Sequence, residues 1–238
     1  MSNASGYHEH HHRDLRGGGL RAGVFGCSDG LVTNVSLILG IAGAHPAGAV
    51  VRLAGIAGLV AGAFSMAAGE YVSMQAQREL FQRELDVERH ALRRSPVEES
   101  AELVKIYEQR GIDPGVARDL VSEVMADPEL ALETHAREEL GIDPAALGAP
   151  FQAAGSSFGA FAAGAFVPLL PWLIGSGTAA LVASVAAAAA AALAIGAVLG
   201  RLSGRSKWRS ALRQLVIGAV AAGVTFGIGR LVGVGIGH

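Results

Sequence analysis

Five long stretches of apolar residues run along the chain, separated by short breaks and by one long polar segment. Each stretch approaches the ~20 residues that an α-helix needs to cross the hydrocarbon core of a bilayer. The breaks fall at turns containing Gly and Pro or, before the last stretch, at a cluster of basic residues. The pattern predicts five transmembrane helices, at residues 20–44, 49–74, 151–174, 178–199 and 212–234.

The long polar segment, residues 75–150, predicts a bundle of short helices. Strong helix formers continue unbroken from the second span to Arg94, so this span should leave the membrane as one long helix. Ser95-Pro96 followed by Glu98 predicts a capping box at the next helix start. Asp-Pro pairs predict three further starts, at Asp113, Asp127 and Asp143. The expected fold class is therefore all-α, with a helical domain inserted between the second and third spans.

Composition agrees with a membrane protein rather than a soluble globule. The hydrophobic fraction is 51%, the mean hydropathy is +0.39 and 33 residues are Gly. Gly-x-x-x-Gly pairs, which let transmembrane helices approach closely, start at Gly58, Gly196, Gly223 and Gly229. We divide the chain into a polar His-rich tail (1–19), spans one and two (20–74), the acidic insert (75–150) and spans three to five (151–238).

Charge is segregated along the chain, and the segregation predicts an orientation. The insert holds 17 acidic and 9 basic residues, whereas the rest of the chain holds 4 acidic and 10 basic ones. Basic residues of short loops prefer the cytoplasmic side. The N-terminus, the insert and the basic loop at 201–213 should therefore be cytoplasmic, with the C-terminus outside.

The insert offers carboxylates at helical spacing that could hold a divalent cation. Like charges three or four residues apart on a helix repel, and a bound cation offsets that cost. Oxygen ligands suit Fe²⁺, Mn²⁺, Mg²⁺ or Ca²⁺. The alternative is a solvated acidic face balanced by nearby bases, and spacing alone does not decide between them. The candidate metal ligands are Glu84, Glu88, Glu99, Glu102, Glu138 and Glu139.

Two carboxylates within the first two spans suggest an ion pathway. A carboxylate inside a bilayer costs several kcal/mol unless it is paired or functional. Asp29 lies about 14 Å into the first span, near Asn34. Met66 and Glu70 share one face of the second span, at i,i+4. A carboxylate, a thioether and an amide at similar depth would suit a transition metal, and a carboxylate could exchange a proton for it.

The single cysteine and the N-terminal tail add less. Cys27 excludes an internal disulfide and a cysteine-based zinc site. The run His8-Glu9-His10-His11-His12 could bind metal in a tail expected to be disordered. The first residues lack the pattern of a cleavable secretory signal.

Two sequence segments carry a resemblance to a known family. They are FGCSDGLVTN at 25–34 and GLVAGAFSMAAGEYVS at 58–73, and FVPLLP at 166–171 extends the match. The chain closely resembles the vacuolar iron transporter family. The resemblance implies a homodimer with five spans per protomer and a pathway at the dimer interface. It also implies transport of Fe²⁺, and often Mn²⁺, out of the cytosol against protons.

The resemblance also implies functional residues. Glu88, Glu99, Glu102 and Glu139 match the family's cytoplasmic metal ligands best, and Asp29, Met66 and Glu70 match its pathway. This chain has Ala91 where the family often has a further Glu, and Glu84, one turn before Glu88, could substitute for it. Accessory ligands could come from His135, Met125 and Glu138.

We therefore expect an Fe²⁺ or Mn²⁺ exporter and not an enzyme. Its partners should be divalent metal ions, membrane lipid and a second copy of the chain, without nucleic acid. Likeness to compact bacterial members favours the plasma (inner) membrane. A membrane-anchored metal sensor or store is the alternative. A membrane iron oxidase is disfavoured because the insert lacks paired Glu-x-x-His motifs.

Overall fold

The computed structural model describes residues 18–236, and most of them are helical. The predicted tail lies outside them except for residues 18 and 19, which begin the first helix. The all-α prediction is confirmed for this part of the chain, which forms eight α-helices and one 3₁₀ turn (Pro144–Ala146). The helices are α1 (Gly18–Gly43), α2 (Gly48–Arg94), α3 (Pro96–Gln109), α4 (Pro114–Met125), α5 (Pro128–Glu138), α6 (Pro150–Ile174), α7 (Gly177–Leu202) and α8 (Lys207–Ile236).

Five of these helices are long and apolar enough to cross a membrane: α1, α2, α6, α7 and α8. The prediction of five spans is thereby confirmed. The predicted continuation of the second span is also confirmed, because α2 runs unbroken for 47 residues. At 1.5 Å per residue this helix is about 70 Å long, roughly twice the thickness of a bilayer core.

Helix starts in the insert follow the Asp-Pro signal. The carboxylates of Asp113, Asp127 and Asp143 each accept hydrogen bonds from backbone amides two residues ahead, at 2.8, 2.9 and 3.1 Å. The capping box predicted at Ser95 is wrong. Ser95 has φ −135° and ψ 52°, outside the extended conformation typical of this position, and its hydroxyl makes no capping hydrogen bond.

The chain divides into two compact units. The apolar unit comprises the described residues up to Gly69 and those from Gln152 onward, and the insert unit comprises Glu70–Phe151. In the apolar unit, buried Leu31, Val35 and Leu39 of α1 pack against small residues of α7 and α8. A second cluster joins Ile38 and Val51 to residues of α6 and α7.

Glycines set the helix spacing in the apolar unit. A β-carbon at Gly30 would overlap the carbonyl oxygen of Phe161, and one at Gly164 would overlap that of Cys27, so α1 and α6 touch through their backbones. Of the predicted pairs, three make close contacts: Gly58/Gly62, Gly196/Gly200 and Gly229/Gly233. A β-carbon on Gly223 or Gly227 would meet no neighbouring helix within 4 Å among the described residues. The pair Gly26/Gly30 was not among the predicted motifs.

The insert unit has its own core of two clusters. Leu103 of α3 packs against Val121 and Val124 of α4. Leu85 of α2 packs against Leu132 and Ala136 of α5. The second cluster positions the site described next, because Glu88 lies one turn beyond Leu85 and His135 precedes Ala136.

Candidate metal centre

Four metal-ligating side chains converge in the insert unit. Glu88 comes from α2, Glu99 from α3, His135 from α5, and Glu139 from the residue that follows α5. Each offers a ligand atom, and these atoms all lie within 4.8 Å of one another. Three helices therefore supply one pocket of three carboxylates and one imidazole.

His135 lies at the centre of this group and is fully buried, with 0% of its surface exposed. Its Nδ1 atom lies 3.2 Å from Glu88 Oε1, 3.5 Å from Glu139 Oε2 and 4.0 Å from Glu99 Oε2. None of these approaches has hydrogen-bond geometry, and neither ring nitrogen has a hydrogen-bond partner within the described part of the chain. A buried polar atom left unpaired costs about 1–3 kcal/mol. Such a cost is offset when an ion occupies the pocket.

The three carboxylates of this group lie close together, and Glu88 and Glu99 are wholly or partly buried from solvent. Burial raises the pKa of Glu88 to about 7, and the charges of Glu139, Glu99 and Glu102 contribute to the rise. Burial also raises the pKa of Glu99; His135 opposes that rise, and the neighbouring carboxylates add to it. A site that disfavours its own negative charge gains most from binding a cation.

The other predicted ligands of the insert lie outside this group of four. Glu102 is exposed, although its charge acts on Glu88 and Glu99. Glu138 forms an ion pair with Arg110. Glu84 is partly exposed, one turn before Glu88 on α2.

The donor set fits a divalent transition metal. Carboxylate oxygens suit Fe²⁺ and Mn²⁺, and an imidazole nitrogen adds preference for these ions over Mg²⁺ and Ca²⁺. The observation on which this fit rests is that the buried ring nitrogens of His135 have no hydrogen-bond partner among the described residues.

In the apolar unit, the polar residues of α1 differ in exposure. Asn34 is fully buried; its Nδ2 donates a 2.6 Å hydrogen bond to the Ala165 carbonyl, and its Oδ1 has no partner among the described residues. Asp29 is exposed on the surface of α1, where the Thr33 hydroxyl donates to it at 3.4 Å. The helices of the chain therefore do not enclose this carboxylate.

The two candidates on α2 are both partly buried. Met66 packs against the cluster of Ala63, Phe161 and Ala165. Glu70 lies one turn further along the helix. Next to α2, the Oδ1 atom of Asn34 lies 2.9 Å from the place that a β-carbon on Gly58 would take, so the two helices are close at that level.

Comparison with known proteins assigns the family. A family model described as "VIT family" matches residues 20–230. The chain belongs to the vacuolar iron transporter family. The match covers the first four candidate spans, most of the fifth and the insert, so both units belong to the family's architecture.

Three named relatives illustrate the similarity. The "Vacuolar iron transporter" of Acanthamoeba castellanii is 40% identical over 153 residues, which is 64% of this chain and 55% of that protein. "Vacuolar iron transporter 1" of Arabidopsis thaliana is 34% identical over 68% of this chain and 65% of its own length. "Vacuolar iron transporter 2" of Oryza sativa subsp. japonica is 33% identical over 88% of this chain and 85% of its own length. The chain thus aligns with little more than half of the amoebal protein and most of the rice protein.

Within this member of the vacuolar iron transporter family, sequence reasoning undervalued one residue. His135 entered as an accessory candidate, yet it is the most buried of the four clustered groups. The signal was its i,i+4 spacing to Glu139, which places both on one face of a helix. Its meeting with Glu88 and Glu99 depends on how three helices pack, which spacing along one helix does not reveal.

Proposed function

We propose that the protein transports a divalent transition metal, Fe²⁺ or Mn²⁺, out of the cytosol, and that the insert captures this substrate. The observation that carries the proposal is the convergence of three carboxylates on a buried His135 without a hydrogen-bond partner. The names of the relatives, which are vacuolar iron transporters, support iron as a substrate. The imidazole favours transition metals over Mg²⁺ and Ca²⁺.

The proposed pathway uses the polar residues of α1 and α2. Metal released by the insert passes Glu70, Met66 and Asp29 on its way out, with Asn34 just beyond Asp29 on α1. The thioether of Met66 suits a transition metal that has lost part of its water shell. Between metals, a carboxylate in the span takes up a proton, because a charge in a low-dielectric environment is costly. This exchange makes the protein a proton antiporter.

The proposed assembly is a homodimer, and the exposure of Asp29 supports it. A carboxylate on the outer flank of a membrane-spanning helix would contact acyl chains, at a cost of several kcal/mol. A second copy packed against this flank would shield Asp29 and complete the pathway. We place the dimer in a plasma (inner) membrane, with the insert and the basic loop in the cytoplasm and the C-terminus outside, as the segregation of basic residues favours.

Metal flux tests this function directly. In proteoliposomes of the full chain, we expect Fe²⁺ and Mn²⁺ uptake that collapses by at least ~100-fold in Asp29→Asn, because the amide cannot neutralise the passing cation. The matched control is Asp86→Asn, an exposed carboxylate of the insert paired with Arg89, which should transport normally. Wild-type flux in Asp29→Asn, with correct assembly, would contradict the pathway.

A membrane-anchored metal store is the second candidate, and one observation favours it. The metal centre lies in a compact unit with its own core, which could hold metal without any pathway. Metal binding to the full chain with no flux into liposomes would select the store. An imposed pH gradient that changes the flux would select the antiporter.

A further inference from the structure

The turn between α7 and α8 carries a dense positive charge. We call residues 201–213 the basic hairpin. None of its cations forms an ion pair within the described part of the chain. No Asp or Glu occurs between residues 151 and 238. Five exposed cations therefore lack a neutralising partner in this part of the sequence: Arg201, Arg205, Lys207, Arg209 and Arg213.

The backbone beneath these charges is tightly packed. Gly196 and Gly200 of α7 lie so near α8 that a β-carbon on each would come within 2.5 Å of Ala211 Cα and 2.8 Å of Lys207 Cα. Gly204, at φ 66°, lets the Arg205 amide donate to the Gly200 carbonyl at 2.9 Å and close the end of α7. The charges are displayed on a closely packed backbone, so the backbone does not have to be ordered when a partner binds.

The hairpin is tied to the boundary between water and lipid. It joins two helices that are both long and apolar enough to span a membrane. Its Trp208 is 71% exposed, and tryptophan is enriched at the level of lipid headgroups. In the same turn, Ser210 and Ala211 are buried, so the helix presents Trp208 and its neighbouring cations outward.

We propose that the basic hairpin binds the phosphate groups of anionic membrane lipids, with Trp208 inserted beside them. Arginine donates paired hydrogen bonds to phosphate, and a cluster of basic residues next to a transmembrane helix attracts anionic headgroups. An acidic protein surface is the rival partner. The lipid is favoured because the two spans hold the hairpin at the membrane surface and because Trp208 suits a headgroup rather than a carboxylate.

Tryptophan quenching by brominated lipids tests this proposal in the full chain. Trp172→Phe removes the other tryptophan, which is buried, and leaves Trp208 as the reporter. The protein is placed in phosphatidylcholine vesicles that contain a small fraction of brominated phosphatidylglycerol or of brominated phosphatidylcholine. We expect more than about twofold stronger quenching by the anionic lipid, because the cations concentrate it around Trp208. The triple variant Arg205→Gln/Lys207→Gln/Arg209→Gln should quench equally with both.

A second triple variant separates local binding from net charge. Arg94→Gln/Lys105→Gln/Arg118→Gln removes three exposed cations from the insert and should keep the preference for the anionic lipid. Equal quenching by both lipids in the parent, as expected if an acidic protein surface covers the hairpin, overturns the proposal. So does an unchanged preference in the hairpin triple or a lost preference in the insert triple. If Trp172→Phe does not fold, the signal of Trp208→Phe is subtracted from that of the wild type.

Discussion

Glu88 shows how one side chain can be prepared for a cation. It is 6% exposed and shares its pocket with two other carboxylates, and its pKa is raised to about 7. Because the folded pKa exceeds the ordinary value of 4.5, the folded chain binds more protons than the unfolded chain between these pH values. The stability that this group contributes is therefore present at low pH and lost as the pH rises through about 7.

The proton on Glu88 can be observed directly. We expect the metal-free protein to show the infrared band of a protonated carboxylic acid at mildly acid pH, fading as the pH passes about 7. The band should be missing in Glu88→Gln and should disappear from wild type on addition of Mn²⁺, which displaces the proton. Glu98→Gln, which alters an exposed carboxylate of the next helix, should retain it. A band that survives in Glu88→Gln would assign the proton elsewhere.

Part of the candidate metal centre could be predicted from residue types and spacing. The carboxylates Glu88, Glu99 and Glu139 were predicted as ligands, and the structure brings them together. Spacing did not separate them from Glu138, which forms an ion pair with Arg110. The packing of α3 against α5 decides which carboxylates face the pocket and which pair with a base. The sequence of one helix does not reveal this packing.

Among the helices of the insert, the Asp-Pro pairs predicted helix starts and their caps correctly, whereas the Ser95–Glu98 capping box did not form. An Asp cap requires only that a short carboxylate side chain reach backbone amides two or three residues ahead. All three Asp-Pro starts form this cap as predicted: Asp113, Asp127 and Asp143. The capping box at Ser95 needed the right backbone conformation as well. Ser95 lies in the turn that follows the long helix α2, and its backbone there does not have the required conformation. The sequence therefore contains the capping-box residues, but the Ser95 hydroxyl makes no capping hydrogen bond.

This difference between the caps predicts unequal costs for similar substitutions. Asp127→Ala should destabilise α5 by about 1 kcal/mol, since two backbone amides lose their acceptor. Hydrogen exchange of α5 amides in the detergent-solubilised chain should then become roughly fivefold faster. Ser95→Ala should leave exchange in α3 nearly unchanged, because its hydroxyl caps nothing. Equal acceleration in both helices would contradict this account.

For the protein as a whole, the number of spans and the family followed from sequence, whereas the surroundings of Asp29 did not. A transmembrane span can be predicted from the length of one apolar segment, without knowledge of the rest of the fold. Whether a polar side chain on the span is enclosed depends on every neighbour, including a second copy. The exposure of Asp29 and Thr33 in one protomer is therefore the structural reason to propose a dimer.

Cysteine cross-linking tests the proposed dimer. In a Cys27→Ala background, Thr33→Cys places a thiol on the exposed flank beside Asp29. We expect an oxidant to produce a covalent dimer in membranes, because the same flank of both copies meets across a two-fold axis. Val182→Cys, which is also exposed but lies on α7, should stay monomeric under the same treatment. A monomer from Thr33→Cys would argue for a different interface.

The glycine contacts of α1 restrict which parts of the protein can move. Its backbone touches α6 at Gly30 and Gly164, and it touches α8 where Gly229 meets Gly40. Because no side chain separates the main chains at these glycines, a tilt of α1 there would pull the backbones apart or make them collide. We therefore expect α1, which bears Asp29, to stay fixed against α6 and α8 during transport. A rearrangement that opens the proposed metal pathway should then occur on the face of α1 that contacts neither of these helices.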